Sequence, residues 1–138
     1  MRMRTLPLLM LPAVLLGACT QTPAEVERAQ VREAGVQEKL AKELAGLVPG
    51  KPETCISQFP QKQSSGYGAT ILYRVNSGLV YRSDTAGGCE GIGRGDILVT
   101  RTPSGQLCRG DIAQTFDQAS RFPTGSCSFG EFVPYRKP

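Results

Sequence analysis

The chain predicts a mainly β fold: a small, disulfide-stapled antiparallel β-barrel or sandwich preceded by one N-terminal α-helix. Three observations carry that prediction. Short runs of β-branched and aromatic residues recur from residue 55 onward, separated by Gly, Pro, Asn and Ser. Four cysteines are spread through the same stretch, and the one long helical pattern ends before it begins. The 138 residues divide into a leader over 1–18, a lipidated N-terminus and helical arm over 19–50, and a β domain over 51–138.

Residues 1–18 have the three parts of an export signal. Arg2 and Arg4 supply the positive end, Leu6 to Leu16 the apolar run, and Gly17 and Ala18 the small residues at the cut. The run is too short to span a bilayer. Leu16-Gly17-Ala18-Cys19 resembles the lipobox of bacterial lipoproteins, which implies cleavage before Cys19 and lipidation of its thiol and new amino group. The alternative is an ordinary secretory cut with Cys19 beside it. With Thr20 following rather than Asp, the resemblance favours the outer membrane. Several acyl chains on one cysteine hold firmly, because each buried methylene contributes about 0.8 kcal/mol.

Thr22-Pro23-Ala24-Glu25 reads as a capping box with Pro in the first turn, so a helix starts there. Val36, Leu40, Leu44 and Leu47 lie on one face, and Pro49-Gly50 is the expected stop. The stripe is too narrow for a sustained coiled coil. Packing of this face on the following domain is expected over a free spacer.

In the β domain, Cys55 to Phe59 forms a first strand ended by Pro60, and the polar stretch Gln61 to Gly68 reads as a mobile loop. Ala69–Val75 and Leu79–Asp84 form a hairpin across Asn76-Ser77-Gly78, with Gly78 in the left-handed position. A second hairpin is expected from Ile97–Arg101 and Gln106–Arg109 around Thr102-Pro103-Ser104-Gly105. Ile112–Phe116, Cys127–Phe129 and Phe132–Tyr135 complete the set. With Cys19 lipidated, Cys55, Cys89, Cys108 and Cys127 remain as an even set in an oxidising compartment, which points to two disulfides. Of three connectivities, Cys55 with Cys127 and Cys89 with Cys108 is the expected one, each bond stabilising by about 3–4 kcal/mol. A zinc site is disfavoured because no Cys-x-x-Cys pair exists.

The sequence contains no histidine, which removes Ser-His-Asp and Cys-His chemistry and the commonest metal ligand. Sixteen Lys and Arg against 12 Asp and Glu is too mild an excess to imply a nucleic-acid partner. Arg94-Gly95-Asp96 and Arg109-Gly110-Asp111 match a short adhesion tripeptide, yet each precedes an Ile and a strand, so turn chemistry is the simpler reading. Gly91-Ile92-Gly93-Arg94-Gly95 resembles a phosphate loop without a helix to follow it. Asp96, Asp111 and Asp117 sit at strand ends, where pairing with Arg94, Arg101 and Arg109 or hydration is expected over acid–base work. The candidate binding surface is the set Tyr73, Arg74, Tyr81, Arg82, Arg101 and Arg109, residue types enriched at interfaces.

The segments Cys55-Ile56, Gly88-Cys89-Glu90-Gly91-Ile92, Leu107-Cys108-Arg109-Gly110-Asp111 and Cys127-Ser128-Phe129-Gly130-Glu131-Phe132 resemble a family of small exported proteobacterial proteins of unknown function. The resemblance implies a shared disulfide-bonded β module and brings no activity with it. The functional expectation is a non-catalytic lipoprotein of the outer membrane, facing the periplasm. It would contact the membrane through lipid on Cys19, bind an envelope protein or support envelope structure, and need neither cofactor nor metal. The alternative is a small inhibitor of a secreted hydrolase, offering Gln61–Gly68 or Arg101–Gly105 as its inserting loop.

Overall fold

The computed structural model describes residues 21–60 and 62–138, so the leader and Cys19 lie outside the described residues. Helix α1 spans Pro23–Glu43. Its capping box forms as the sequence predicts: the Glu25 amide donates to Thr22 Oγ1 at 3.3 Å and the Thr22 amide to Glu25 Oε2 at 2.8 Å. The helix stops at Leu44, short of Pro49-Gly50, and the chain turns through Gly46 at φ +76°. This early exit lets Leu44 and Leu47 fold back with Leu40 onto the sheet, where they meet Leu72, Val80, Tyr67 and Tyr135. The Leu face therefore packs on the β domain, while residues 23–34 stay exposed around the whole circumference.

Nine strands follow among the described residues: β1 Val48–Pro49, β2 Cys55–Ser57, β3 Gln63–Tyr67, β4 Thr70–Asn76, β5 Leu79–Thr85, β6 Ile97–Thr100, β7 Gln106–Cys108, β8 Ile112–Phe116 and β9 Pro123–Arg136. A short 3-10 helix, Glu90–Arg94, precedes β6. Antiparallel neighbours run β3-β4-β5-β9-β8-β6 in a curled half-barrel, and β2 pairs with β7 as a separate ribbon. Strand β9 is the spine. Its C-terminal half carries β5 on one edge, and the other edge takes β8, the Glu53 bridge and β1 in turn.

The two faces of this sheet bury different clusters, as strand alternation requires. On the outer face Leu72 and Val80 receive α1. On the inner face Ile71, Tyr73, Phe129 and Phe132 pack with Ile56 and Leu107 of the ribbon, Ala113 and the buried Cys89 and Cys127. Phe132 is fully buried, with its ring centroid 5.8 Å from that of Phe129 and 6.3 Å from that of Tyr73. The helix end is latched by Glu43, whose Oε2 accepts from Arg74 Nη2 at 2.8 Å.

The structure corrects the expected disulfide connectivity. The bonds are Cys55–Cys108 and Cys89–Cys127, so the two closed loops interleave instead of nesting. Cys55 and Cys108 are direct cross-strand partners of β2 and β7. Beside them the Arg109 amide donates to the Thr54 carbonyl at 2.8 Å, so the cysteines occupy the close, non-hydrogen-bonded position with Cα atoms 4.0 Å apart. Cys89 reaches Cys127 because Gly88 and Gly125 let two backbones touch. A Cβ on either glycine would strike the other strand's carbonyl, at Ser126 or Gly88.

Three further expectations change. Residues Gln63–Tyr67 form a strand paired with β4 and not a loop. The turn Thr102–Gly105 exists, with Gly105 at φ +70°, but the strands it joins separate: β6 pairs with β8 and β7 with β2. In the first hairpin Gly78 has no left-handed backbone; its amide instead donates to Asn76 Oδ1 at 2.8 Å, closing an Asx turn.

Candidate functional site

The ribbon of β2 and β7 lies over the mouth of the half-barrel, and beneath it remains a partly enclosed cavity of about 280 Å³. Ile56 and Leu107 come from the ribbon, Leu98 and Thr100 from β6, Ser64 from β3 and Tyr73 from β4. The apolar wall follows from the alternation that buries Ile56 and Leu107 against the core. The polar rim is supplied by Ser57, Gln58, Lys62, Ser64 and Thr100. Gln58 Nε2 donates to Thr100 Oγ1 at 3.3 Å, tying the end of the ribbon to β6.

Two groups in this cavity are electrostatically unusual. Tyr73 is 8 % exposed, and its hydroxyl is the one buried side-chain polar atom without a hydrogen-bond partner among the described residues. An unpaired buried hydroxyl costs about 1–3 kcal/mol. Burial also pushes its pKa well above the ordinary 10.0. Lys62 points its ammonium at the Ser57 carbonyl, and partial burial pulls its pKa below the usual lysine value. Among the described residues it has no carboxylate partner.

The raised tyrosine pKa makes a stability prediction. The unfolded chain releases the phenolic proton near pH 10 while the folded chain retains it, so the stabilisation is complete below that pH and is lost as pH rises above it. Between pH 9 and 11 the wild-type protein is expected to lose up to about 1.4 kcal/mol per pH unit more than Tyr73→Phe does. Denaturant titration of both proteins at each pH checks this, and parallel pH profiles would refute it.

The sequence-derived binding set does not form one surface. Tyr73 and Tyr81 are cross-strand partners on the inner face, whereas Arg74 and Arg82 project from the outer face. There Arg74 pairs with Glu43 at 2.8 Å and Arg82 with Asp84 at 3.0 Å. Arg101 lies exposed in the turn after β6, and Arg109 contacts Glu131 at 3.5 Å on the far side of the ribbon. Only Tyr73 of the six lines the cavity. The partners that complete the site, Lys62, Ser64, Leu98 and Thr100, escaped sequence reasoning because β3 carries no apolar alternation and β6 was assigned to the wrong neighbour.

Two of the three aspartates, Asp111 and Asp117, fasten local turns, and Asp96 bonds across to β9. Asp111 Oδ2 accepts from the Cys108 amide at 2.8 Å, Asp96 Oδ2 from Thr124 Oγ1 at 2.6 Å, and Asp117 Oδ1 from the Ser120 amide at 2.7 Å. The Ser120 amide holds the Asp117 carboxyl below its ordinary range. Both Arg-Gly-Asp segments are accordingly turns, with Gly95 at φ +104° and Gly110 at φ +89°. Of the two loops considered for insertion into a hydrolase, residues 63–67 are strand, which leaves the exposed turn at Arg101–Gly105.

Among the described residues no group of three His, Cys, Asp or Glu side chains is placed to hold a metal ion, and no helix is long and apolar enough to cross a membrane. No family model, curated protein or solved structure matches the chain.

Proposed function

We propose that this chain is a lipid-anchored, non-catalytic binding module of the bacterial envelope, attached through Cys19 to the outer membrane, facing the periplasm, and taking its ligand in the cavity at Tyr73. The observation that carries the binding role is the cavity itself: a partly enclosed recess with Ile56, Leu98 and Leu107 in its wall and Lys62, Ser64 and Thr100 converging on it. Two disulfides support an oxidising compartment, and Leu16-Gly17-Ala18-Cys19 supports the anchor. The resemblance to small exported proteobacterial proteins points the same way. The exposed turns of α1, residues 23–34, then act as a spacer of about 18 Å between the lipid and the module.

Two experiments test the two halves of this reading. Cys19→Ser should move the protein from the membrane fraction to the soluble periplasmic fraction, and unchanged membrane retention would overturn the anchor. Native mass spectrometry of the protein purified from its own envelope should show a bound small molecule. Leu98→Trp, which fills the recess, should abolish that adduct; bare protein in both samples would overturn the binding role.

A further inference from the structure

We propose that the Cys55–Cys108 bond is a reducible strap: a protein dithiol of the envelope reduces it and so frees the β2–β7 ribbon to open over the recess, while Cys89–Cys127 stays closed and keeps the half-barrel folded. This inference rests on the binding-module reading for what the recess is, and adds how access to it is controlled.

The two disulfides sit in different settings. Cys89 and Cys127 are 2 % and 4 % exposed, in one cluster with Tyr73, Phe129 and Phe132. Cys55 and Cys108 are half-buried, and the residues beside them, Thr54 and Arg109, are exposed. Thiol–disulfide exchange needs access to a sulfur, so an incoming dithiol meets the ribbon bond first and reaches the core bond only through unfolding. One thiolate of the dithiol attacks a ribbon sulfur to form a mixed disulfide, and the other ribbon cysteine leaves as a thiolate. The second thiol of the reductant then displaces the first cysteine. Two electrons pass to the chain: Cys55 and Cys108 end as thiols, and the reductant ends as its disulfide.

What the bond does for the ribbon follows from topology. Strands β2 and β7 have three residues each and pair with each other apart from the main sheet. Two strands of that length are marginal without help. The base of the ribbon is pinned to β9, where Glu53 exchanges backbone bonds with Phe132 at 2.8 and 2.9 Å and the Gly110 amide donates to the Phe129 carbonyl at 2.9 Å. The tip is tied to β6 by the Gln58–Thr100 bond. Between base and tip lie Ile56 and Leu107, both buried and both in the wall of the recess. With the disulfide intact the two arms leave together, and opening exposes both anchors at once. With it reduced, the arm carrying β7 can leave alone and expose Leu107 only. Keeping one such side chain buried is worth a factor of about ten to a hundred in the opening equilibrium. The departure of that arm takes Leu107 out of the wall and opens the recess to solvent.

The full chain carrying Cys19→Ser, with both disulfides formed, is treated with about 1 mM dithiothreitol, quenched by alkylation and mapped. Cys55 and Cys108 should be alkylated at least about tenfold faster than Cys89 and Cys127. In the singly reduced form, hydrogen exchange over β2 and β7 should quicken about tenfold or more while that of β5 stays unchanged, and reoxidation should restore the protection. Cys55→Ser with Cys108→Ser should match the singly reduced form. Loss of both bonds at one rate would place them in a single unfolding event and overturn the proposal. Selective reduction with unchanged exchange over the ribbon would also overturn it, leaving an accessible bond that holds nothing shut. The exchange data on the reduced wild-type chain decide the matter even where the double variant folds poorly. A ribbon that loosens on reduction, in a protein that carries no small molecule in either redox state, would support the strap and count against the binding-module reading alone.

Discussion

Phe132→Ala is expected to lower the unfolding free energy by about 3–5 kcal/mol, the largest loss from any single side chain in the molecule. Phe132 is fully buried at the centre of β9, and its ring joins those of Phe129 and Tyr73 in one aromatic cluster. The substitution removes that apolar surface and also the tilted ring–ring contacts with Phe129 and Tyr73, which add about 0.5–1.5 kcal/mol beyond burial. The backbone should not adjust to fill the void. Its amide and carbonyl are both bonded to Glu53, at 2.9 and 2.8 Å, and β5 is paired along the opposite edge. Domains of this size have about 5–15 kcal/mol in total, so the variant should be close to unfolding at 37 °C. Equilibrium denaturation with the disulfides intact measures the loss. A change below about 1 kcal/mol would mean that the core is organised around some other residue.

Removing the inner disulfide as Cys89→Ala with Cys127→Ala should cost about 4 kcal/mol, equivalent to a fall of roughly 15–30 °C in Tm. Chain entropy alone favours the other bond slightly, since Cys55–Cys108 closes 53 residues of sequence and Cys89–Cys127 closes 38. That difference is only a few tenths of a kcal/mol because the dependence is logarithmic. Burial decides the order: Cys89 and Cys127 are 2 % and 4 % exposed within the aromatic core, and truncating them leaves a packing defect that the half-exposed ribbon pair does not. Thermal unfolding of the two double variants should therefore rank the inner pair as the more damaging. Non-reducing peptide mapping should recover Cys55 linked to Cys108, and a Cys55–Cys127 peptide would refute the topology.

The mainly β fold class was legible because its signals are local. Alternation in Thr70–Asn76 and Leu79–Thr85, with a turn between them, identified the first hairpin nearly to its ends, and Thr22 with Glu25 marked the start of the helix. What failed depended on pairing at a distance. Ser64, Ser65 and Gly66 have no hydrophobic period, because β3 owes its place to the open edge of β4 and to the close approach of Gly66 to Ile92. The expected cysteine pairing ties the first strand to the last and closes the central stretch on itself, whereas the ladder that matters brings Cys108 opposite Cys55. Gly125, two residues ahead of Cys127, was the available signal for the other bond, since glycine in a strand often marks close backbone approach. The cavity followed the same division: Tyr73 stood out by residue type alone, whereas the side chains that line the recess with it are brought together only by the topology.

The interleaved bonds also decide how the domain responds to proteolytic nicking. Cutting the backbone once between Cys55 and Cys127 leaves the product in one covalent piece, as any bridging bond would. A second cut, made in a different interval between the cysteines, still releases nothing, because each of the three segments retains a bond to another. The nested arrangement would surrender the Cys89–Cys108 segment after cuts on either side of it. Nicked copies of this domain should thus stay in one covalent piece with their strands held in register, and trimming would become visible only after reduction.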